Sequence, residues 1–179
     1  MTKIHCVTVG VFANHDNAET AVKDLERAGY NMKKLSIIGR GYHSEENVVG
    51  YYNVGARMAH WGKNGLFWGW VWGVVFGSAF FFIPGIGPVI AGGPIVSWLL
   101  GALESAAIVG GLSTLGGALA GIGIPKDSVL MYETAIKTDK FVLLLHGKYE
   151  DAEKAKSILI RNNAENTDSH EFLSKTYAH

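Results

Sequence analysis

The chain has 179 residues, a formal net charge of zero and a single cysteine, Cys6. The length fits one compact domain, or a small domain that carries a large insertion. The neutral charge balance offers no basic field for nucleic acid, and the single cysteine excludes an intrachain disulfide framework.

The first forty residues predict a strand, a helix and a second strand. Alternating β-branched residues over residues 4–12 are typical of a strand. Asp16 and Glu19 have capping-box spacing, which predicts that Asp16 caps the helix that follows. Gly29 is a natural end for this helix, because the residue after a helix often needs a left-handed backbone. Residues 34–38 predict the second strand, so the unit is βαβ.

The C-terminal part predicts the same kind of unit. Residues 141–146 indicate a compact apolar strand, and the helix after it carries an apolar stripe that includes Ala152 and Leu159. Residues 17–21 and 151–155 align without a gap. In the same register three valines of the first strand align with three apolar residues of the later strand, namely Val7, Val9 and Val11 with Phe141, Leu143 and Leu145.

Two such units at the two ends of one chain predict an α+β fold, a split ferredoxin-like βαβ…αβαβ sandwich that is interrupted by an apolar, glycine-rich helical hairpin. Pro125 marks the start of a short helix before the second unit. Residues 164–172 are polar and predict at best a short edge strand. The predicted division is residues 1–41 and 125–172 for the two halves, 42–64 for a connector and interfacial collar, 65–124 for the hairpin and 173–179 for a tail.

Residues 65–124 contain one charged residue, Glu104. A helix that is apolar on every side must be buried, either in a membrane or inside an assembly. Two apolar runs, residues 66–83 and 95–122, are separated by a forced turn at residues 84–88. They predict two helices that form a hairpin, which places both soluble halves on the same, cytoplasmic side of a membrane. A shallow re-entrant turn and the buried core of a soluble oligomer are the alternatives.

Small residues recur at helical spacing in both runs. Residues four apart lie on one face of a helix and let another backbone approach closely. A glycine inside a helix costs about 1 kcal/mol relative to alanine, so this many glycines favour a role in helix packing or oligomerisation. The predicted packing residues are Gly65, Gly69, Gly73 and Gly77 in the first run and Ala102, Ala106, Gly110, Gly117 and Gly121 in the second.

Cationic and aromatic residues flank the apolar segment. Such side chains are favoured at a membrane interface, where one end of the side chain is wet. The predicted interfacial residues are Arg57, Trp61, Lys63 and Lys126. Glu104 is a possible intramembrane polar site, because a carboxylate within an apolar helix is costly. The alternatives for Glu104 are a helix edge beside water and a protonated side chain.

The sequence contains no recognisable catalytic motif. The seven histidines are scattered, without the paired spacing or the cysteine partners of a zinc site. No nucleophile elbow, P-loop or Cys-x-x-Cys occurs. We therefore predict no enzymatic activity and no catalytic, cofactor-binding or metal-binding residue, and we expect Cys6 to be a buried small hydrophobe.

Five segments carry a family resemblance: residues 7–12, 18–25, 65–77, 121–125 and 141–145. This order of a valine-rich strand, an Ala-Glu-x-Ala-Val helix, a glycine-rich apolar segment, a Gly-Ile-Pro helix start and a second strand–helix unit resembles bacterial general-stress or low-temperature-induced proteins. Those proteins are classed as a membrane domain of unknown function. The resemblance implies membrane association and a link to stress, and it implies no substrate and no active-site residue.

The leading functional hypothesis is a non-enzymatic, membrane-associated, stress-related protein that assembles with itself through the helical hairpin. Its expected partners are further copies of the chain and membrane lipid, with no nucleic acid and no cofactor. Two alternatives are a soluble homo-oligomeric scaffold or shell with the hairpins buried in its core, and a small pore or ion-conducting assembly around Glu104.

Overall fold

The computed structural model describes residues 4–40, 79–83, 85–104 and 113–173. These residues form an α+β fold with one six-stranded antiparallel sheet and five α-helices. The elements in chain order are β1 (Ile4–Phe12), α1 (His15–Arg27), β2 (Leu35–Arg40), β3 (Ala79–Ile83), β4 (Gly87–Gly92), α2 (Ile95–Glu104), α3 (Thr114–Gly121), α4 (Lys126–Lys137), β5 (Phe141–Lys148), α5 (Tyr149–Arg161) and β6 (Asn166–Leu173).

The sheet interleaves strands from the two ends of the chain. Its order is β3-β4-β2-β5-β1-β6, and each neighbouring pair is antiparallel. β1 lies between β5 and β6, so that Val9 is opposite Leu144 on one side and Asp168 on the other. β1 and β2 are separated by β5. The N-terminal and C-terminal parts therefore fold as one sheet.

Helices cover both faces of this sheet. α1 and α5 pack on one face, and α2, α3 and α4 pack on the other. Alternation along β5 serves both cores, because Leu143 and Leu145 point to α1 and α5, whereas Val142 and Leu144 point to the other layer. Each fully buried leucine contributes about 1.5–3 kcal/mol relative to exposure, so two continuous cores hold the sheet between the helical layers.

α1 begins earlier than the sequence predicts. Asn14 is the N-cap, and its side-chain oxygen accepts a hydrogen bond from the backbone N–H of Asn17 at 2.9 Å. The prediction that Asp16 caps the helix was therefore wrong. Glu19 is buried and accepts a hydrogen bond from Lys23 at 2.6 Å instead of capping. The predicted helix end is confirmed, since Gly29 follows the C-cap with a φ of 87°.

α1 and α5 are joined by polar contacts as well as by their apolar stripes. Asp24 accepts hydrogen bonds from Arg161 at 3.0 Å and from Asn162 at 3.1 Å. The hydrogen bonds from Asn162 and Arg161 lower the pKa of the Asp24 carboxyl. Tyr30 donates its hydroxyl to the carbonyl of Asp151 at 2.8 Å. These contacts tie the first strand–helix unit to the second.

The gap-free alignment of the two units holds for their helices but was wrong for their strands. Val7, Val9 and Val11 point to the layer of α2, α3 and α4, whereas Leu143 and Leu145 point to α1 and α5. Structurally equivalent residues should share a face, so the strand register is shifted by an odd number of residues. The strand–helix connections also differ in length, since two residues separate β1 from α1 and none separates β5 from α5.

The predicted helical hairpin was wrong at its centre. Residues 79–83 and 87–92 are strands that pair with each other, and β4 also pairs with β2. The predicted turn is confirmed, with left-handed backbone at Gly85 (φ 85°) and Gly87 (φ 98°). A short apolar run is compatible with a buried helix or a buried strand, and here the aromatic and β-branched residues extend the sheet.

The second apolar run is not one continuous helix. α2 ends at Glu104, and a new helix begins after Ser113, whose backbone is extended (φ −66°, ψ 170°). The Ser113 hydroxyl oxygen caps α3 by accepting a hydrogen bond from Gly116 at 3.1 Å. The predicted packing residues Ala102 and Gly117 therefore lie on two different helices. Ala118 points into the core beside Leu115 and Leu119.

A tight corner fixes the start of α2 against β2. Gly93 has a φ of 89°, and a Cβ on it would lie 2.1 Å from the carbonyl oxygen of Leu35. The backbone N–H of Ile95 donates to the hydroxyl oxygen of fully buried Ser36 at 3.1 Å. The hairpin and α2 are thereby attached to the first strand–helix–strand unit. β6 is longer than predicted and pairs with β1 along its whole length.

Candidate assembly surface

The β3–β4 hairpin has one buried face and one open face. Phe81 and Ile83 of β3 pack into the core under α2, together with Val89 of β4. Phe82 and Ile90 occupy the alternate positions and point to the open face. Phe82 is 70% exposed and Ile90 is 39% exposed. Among the exposed large apolar side chains of the described residues, Phe82 is the most exposed.

α2 covers the buried face of the hairpin, and its own outer side carries further exposed apolar residues. Ile95 and Leu99 are fully buried, whereas Trp98 is 46% exposed and Leu100 is 48% exposed. The Trp98 ring leans on α3, where a Cβ added to Gly121 would lie 3.0 Å from Cε3 of Trp98. Gly121 therefore permits a close helix contact within one chain.

These exposed residues lie on a part of the chain without charge, two on the open face of the hairpin and two on the outer side of α2. We call the group of Phe82, Ile90, Trp98 and Leu100 the uncharged surface. β3, the turn, β4 and α2 contain no charged residue before Glu104. Large exposed apolar side chains in an uncharged region are typical of interaction surfaces. This arrangement can support association with apolar partners.

An ion pair marks the border of the uncharged surface. Nη1 of Arg40, at the end of β2, donates to the carbonyl of Lys137 at 3.0 Å and to Oδ1 of Asp139 at 3.2 Å. A Cβ on Gly87 would lie 3.5 Å from Nη2 of Arg40, so the guanidinium lies beside the hairpin. Asp139 therefore pairs with this positive charge beside the hairpin.

A buried polar pair connects α4 to the edge strand β6. The Tyr132 hydroxyl and Nε2 of His170 lie 3.0 Å apart, and both side chains are more than nine-tenths buried. Burial raises the pKa of Tyr132 and lowers the pKa of His170. The Asp168 carboxylate, 3.9 Å from Nε2, acts in the opposite direction on His170 and favours its charged form. Both groups are therefore neutral at pH 7, and the pair is a structural contact.

A second buried polar pair escaped the sequence prediction. Glu133 is 5% exposed and accepts a hydrogen bond from the hydroxyl of Ser113. Because Ser113 caps α3, the carboxylate lies near a helix N-terminus, where negative charge is favoured. The signal was present in the sequence, since Glu133 falls within the apolar stripe of α4 that contains Val129, Tyr132 and Ile136.

The described residues contain one group with metal-ligand spacing, namely His15, Asp16 and Glu19, whose ligand atoms lie within 4.8 Å of one another. The Glu19 carboxylate already accepts a hydrogen bond from Lys23, so an ion pair accounts for its position. The prediction that Cys6 is buried is confirmed. Burial, with the nearby Glu171 carboxylate, raises the pKa of the Cys6 thiol, which makes it a weak nucleophile at neutral pH.

The structure describes only some of the residues that were predicted to form a site. Ala102 is partly buried against the core, Gly121 contacts Trp98, and a Cβ on Gly117 would meet nothing within 4 Å. Glu104 is the last residue of α2, and Lys126 is the exposed first residue of α4. The pore hypothesis stays a prediction. The predicted residues that lie outside the described part are Gly65, Gly69, Gly73, Gly77, Ala106, Gly110, Arg57, Trp61 and Lys63.

One comparison with known families gives a match. Residues 7–79 match the sequence model of a family described as the heat-induced stress protein YflT domain. The matched region begins in β1, includes α1 and β2, and ends at the first residue of β3. It supports the predicted relation to bacterial stress-induced proteins and a stress-related role. No curated protein and no solved structure matches the chain significantly.

In the described part of the chain, the helices are all too short or too polar to span a bilayer. The transmembrane helix that the sequence predicted is therefore not found among these residues.

Proposed function

We propose that this chain is a non-enzymatic, stress-related protein that assembles with itself and associates with membranes through its apolar middle segment. The observation that carries the proposal is the uncharged surface, where Phe82, Trp98 and Leu100 are exposed within a stretch of sequence, residues 79–103, that contains no charged residue. Exposed apolar side chains are covered at lower free energy by another apolar surface than by water, at about 25 cal/mol per Å².

The fold in this proposal is a split ferredoxin-like unit that carries the assembly segment as an insertion. The order β2-β5-β1-β6 and the position of α1 and α5 on one face support it. β3, β4, α2 and α3 belong to the insertion between β2 and β5. Because the two halves share one sheet, they lie on the same side of any membrane, and we propose the cytoplasmic side.

A soluble assembly is the second candidate. The finding that favours it is the shortness of α2 and α3 in the described part of the chain, where they have 10 and 8 residues. A bilayer core requires about 20 apolar residues in a helix. In this version the uncharged surfaces of several copies bury one another, and lipid is not required.

Particle mass and vesicle flotation test the proposal together. The wild-type protein should form a particle larger than one chain and should float with vesicles. Phe82→Glu places a charge in the uncharged surface and should reduce both. Ile160→Glu is the matched control, since Ile160 is exposed to a comparable extent on α5, away from this surface.

The two versions give different results. A large particle in buffer that does not bind vesicles would favour the soluble assembly over membrane association. A wild-type chain that stays monomeric in buffer and does not bind vesicles would refute both versions. Equal effects of Phe82→Glu and Ile160→Glu would remove the role assigned to the uncharged surface.

A further inference from the structure

The two edges of the sheet differ in how they are protected. β3 and β6 each have one paired neighbour in the part of the chain that the structure describes. On the outer side of an edge strand, alternate N–H and C=O groups lack a sheet partner and can pair with another strand. Proteins commonly prevent such pairing with charged side chains on the edge.

β6 carries this protection. Its eight residues include Asp168, His170 and Glu171. The Asp168 side chain is 49% exposed, and Glu171 is exposed. Two copies that met along β6 would bring carboxylates of like charge close together, which is destabilising. Pairing through this edge is therefore disfavoured.

β3 lacks this protection. Its five residues, Ala-Phe-Phe-Phe-Ile, include no charge and no proline. Phe82 projects from the open face of this strand and is the most exposed large apolar side chain in the described residues. The turn and β4, which follow, are uncharged as well. An uncharged apolar edge favours the addition of another strand.

A second copy of the same strand fits this edge by symmetry. A two-fold axis perpendicular to the sheet makes the two β3 strands antiparallel and keeps every residue on its own face. Phe81 and Ile83 would then extend the core layer across the junction. The two Phe82 side chains would share the open face within contact distance. No like charges would meet, since β3 has none.

We propose that β3 pairs antiparallel with β3 of a second copy, so that two six-stranded sheets join into one continuous sheet. The inference rests on the proposed self-assembly, for which it names the contact. The symmetry of the edge and the absence of charge favour a second copy over a foreign strand, which would need its own complementary sequence.

Thiol cross-linking tests this contact directly. Cys6 is buried, so Phe82→Cys adds one accessible thiol in the described part of the chain. With a short bis-maleimide it should give a covalent dimer about tenfold faster than Ile160→Cys, because cross-strand neighbours lie roughly 5–8 Å apart. The parent chain is the control for any reaction at Cys6. Ile160 serves as the matched site because it is similarly exposed on α5.

Hydrogen exchange of the wild-type protein gives a second measurement that needs no substitution. Peptides that contain β3 should exchange faster as the protein is diluted to single chains, whereas peptides from β6 should not change. Mass measurements on the same samples separate the two proposals. An oligomer without cross-linking at Phe82→Cys, and with β3 exchange independent of dilution, would overturn strand pairing and leave self-assembly intact. A chain that stays single under every condition would overturn both.

Discussion

Gly93 offers a sharp test of how the hairpin and α2 are attached to β2. In Gly93→Ala the new Cβ would lie 2.1 Å from the carbonyl oxygen of Leu35 and 2.9 Å from Cα of Ser36. Both are backbone atoms of a strand that is paired on each side, so they cannot move as a side chain would. Gly29→Ala is the matched control, because Gly29 has a similar φ, 87° against 89°, and its Cβ would meet nothing within 4 Å.

The two substitutions share one cost and differ in another. A left-handed backbone costs alanine about 1–2 kcal/mol, and this term is common to both. Overpacking adds typically 1–3 kcal/mol, and it applies to Gly93 alone. We therefore expect Gly29→Ala to lower the free energy of unfolding by about 1–2 kcal/mol and Gly93→Ala by about 2–5 kcal/mol. The loss of unfolded-state entropy is the same in both and cancels in the comparison.

Urea unfolding at one fixed protein concentration, followed by circular dichroism, measures this difference. A fixed concentration is required because assembly adds to the apparent stability. Gly85→Ala is a further control, with a φ of 85° and no atom within 4 Å of the added Cβ. If Gly93→Ala does not fold while both controls do, the expected order still holds. Equal losses for Gly93→Ala and Gly29→Ala would refute the close approach of residue 93 to β2.

Three further predictions concern polar contacts. Ser36→Ala leaves the N–H of Ile95 without its acceptor and should lower the free energy of unfolding by about 1–3 kcal/mol in urea titrations. Burial lowers the pKa of His170, so the unfolded chain binds the proton more readily. The contribution of neutral His170 to the free energy of unfolding should be fully present above the ordinary histidine pKa of 6.5 and should be lost as the pH falls below it. In melting experiments at several pH values, His170→Gln should therefore lose less stability on acidification than the wild-type protein. Asp24→Asn weakens the hydrogen bond from Arg161 and should lower the free energy of unfolding by about 1 kcal/mol. A double-mutant cycle of Asp24 and Arg161 should show that the effects of the two substitutions are not additive.

Each of these predictions can be checked by a second measurement on the same chain. Ser157→Ala removes an exposed hydroxyl that bonds within α5, and it should change stability far less than Ser36→Ala. His146→Gln should also flatten the acid response, because burial lowers the pKa of His146 as well. An unchanged pH profile in both histidine variants would contradict the assignment. For Asp24, no coupling to Arg161 would show that their contact adds nothing to stability.

The parts of the fold that the sequence predicted well have a periodic pattern and a clear end signal. Alternating valines in β1, the apolar stripe of α1 and the left-handed residue Gly29 are local features, and the structure confirms them. The cap of α1 was misplaced because Asp16 and Asn14 are both good cap residues, and the structure uses Asn14.

The middle segment could not be predicted in the same way. Hydrophobicity alone does not distinguish a buried helix from a buried strand, and residues 79–92 have no alternating pattern to decide it. Their pairing with β2 is a long-range contact that leaves no local signal. The same holds for the exposed position of Phe82, which depends on where the sheet ends. Glu133 in α4 is a different case, because it was missed although a lone carboxylate in an apolar stripe is visible in the sequence.

During synthesis on the ribosome, β1 and β2 emerge long before the strands with which they pair. β1 pairs with β5 and β6, and β2 pairs with β4 and β5, so among the described residues neither strand has a partner within residues 7–79. About 100 residues separate β2 from β5, and at 5–20 residues per second their synthesis takes roughly 5–20 s. During this interval β1 cannot pair with β5, and its valines lack the packing that this pairing provides. If residues 7–79 were made alone, β1 and β2 would therefore lack the sheet partners that they have in the described part of the chain.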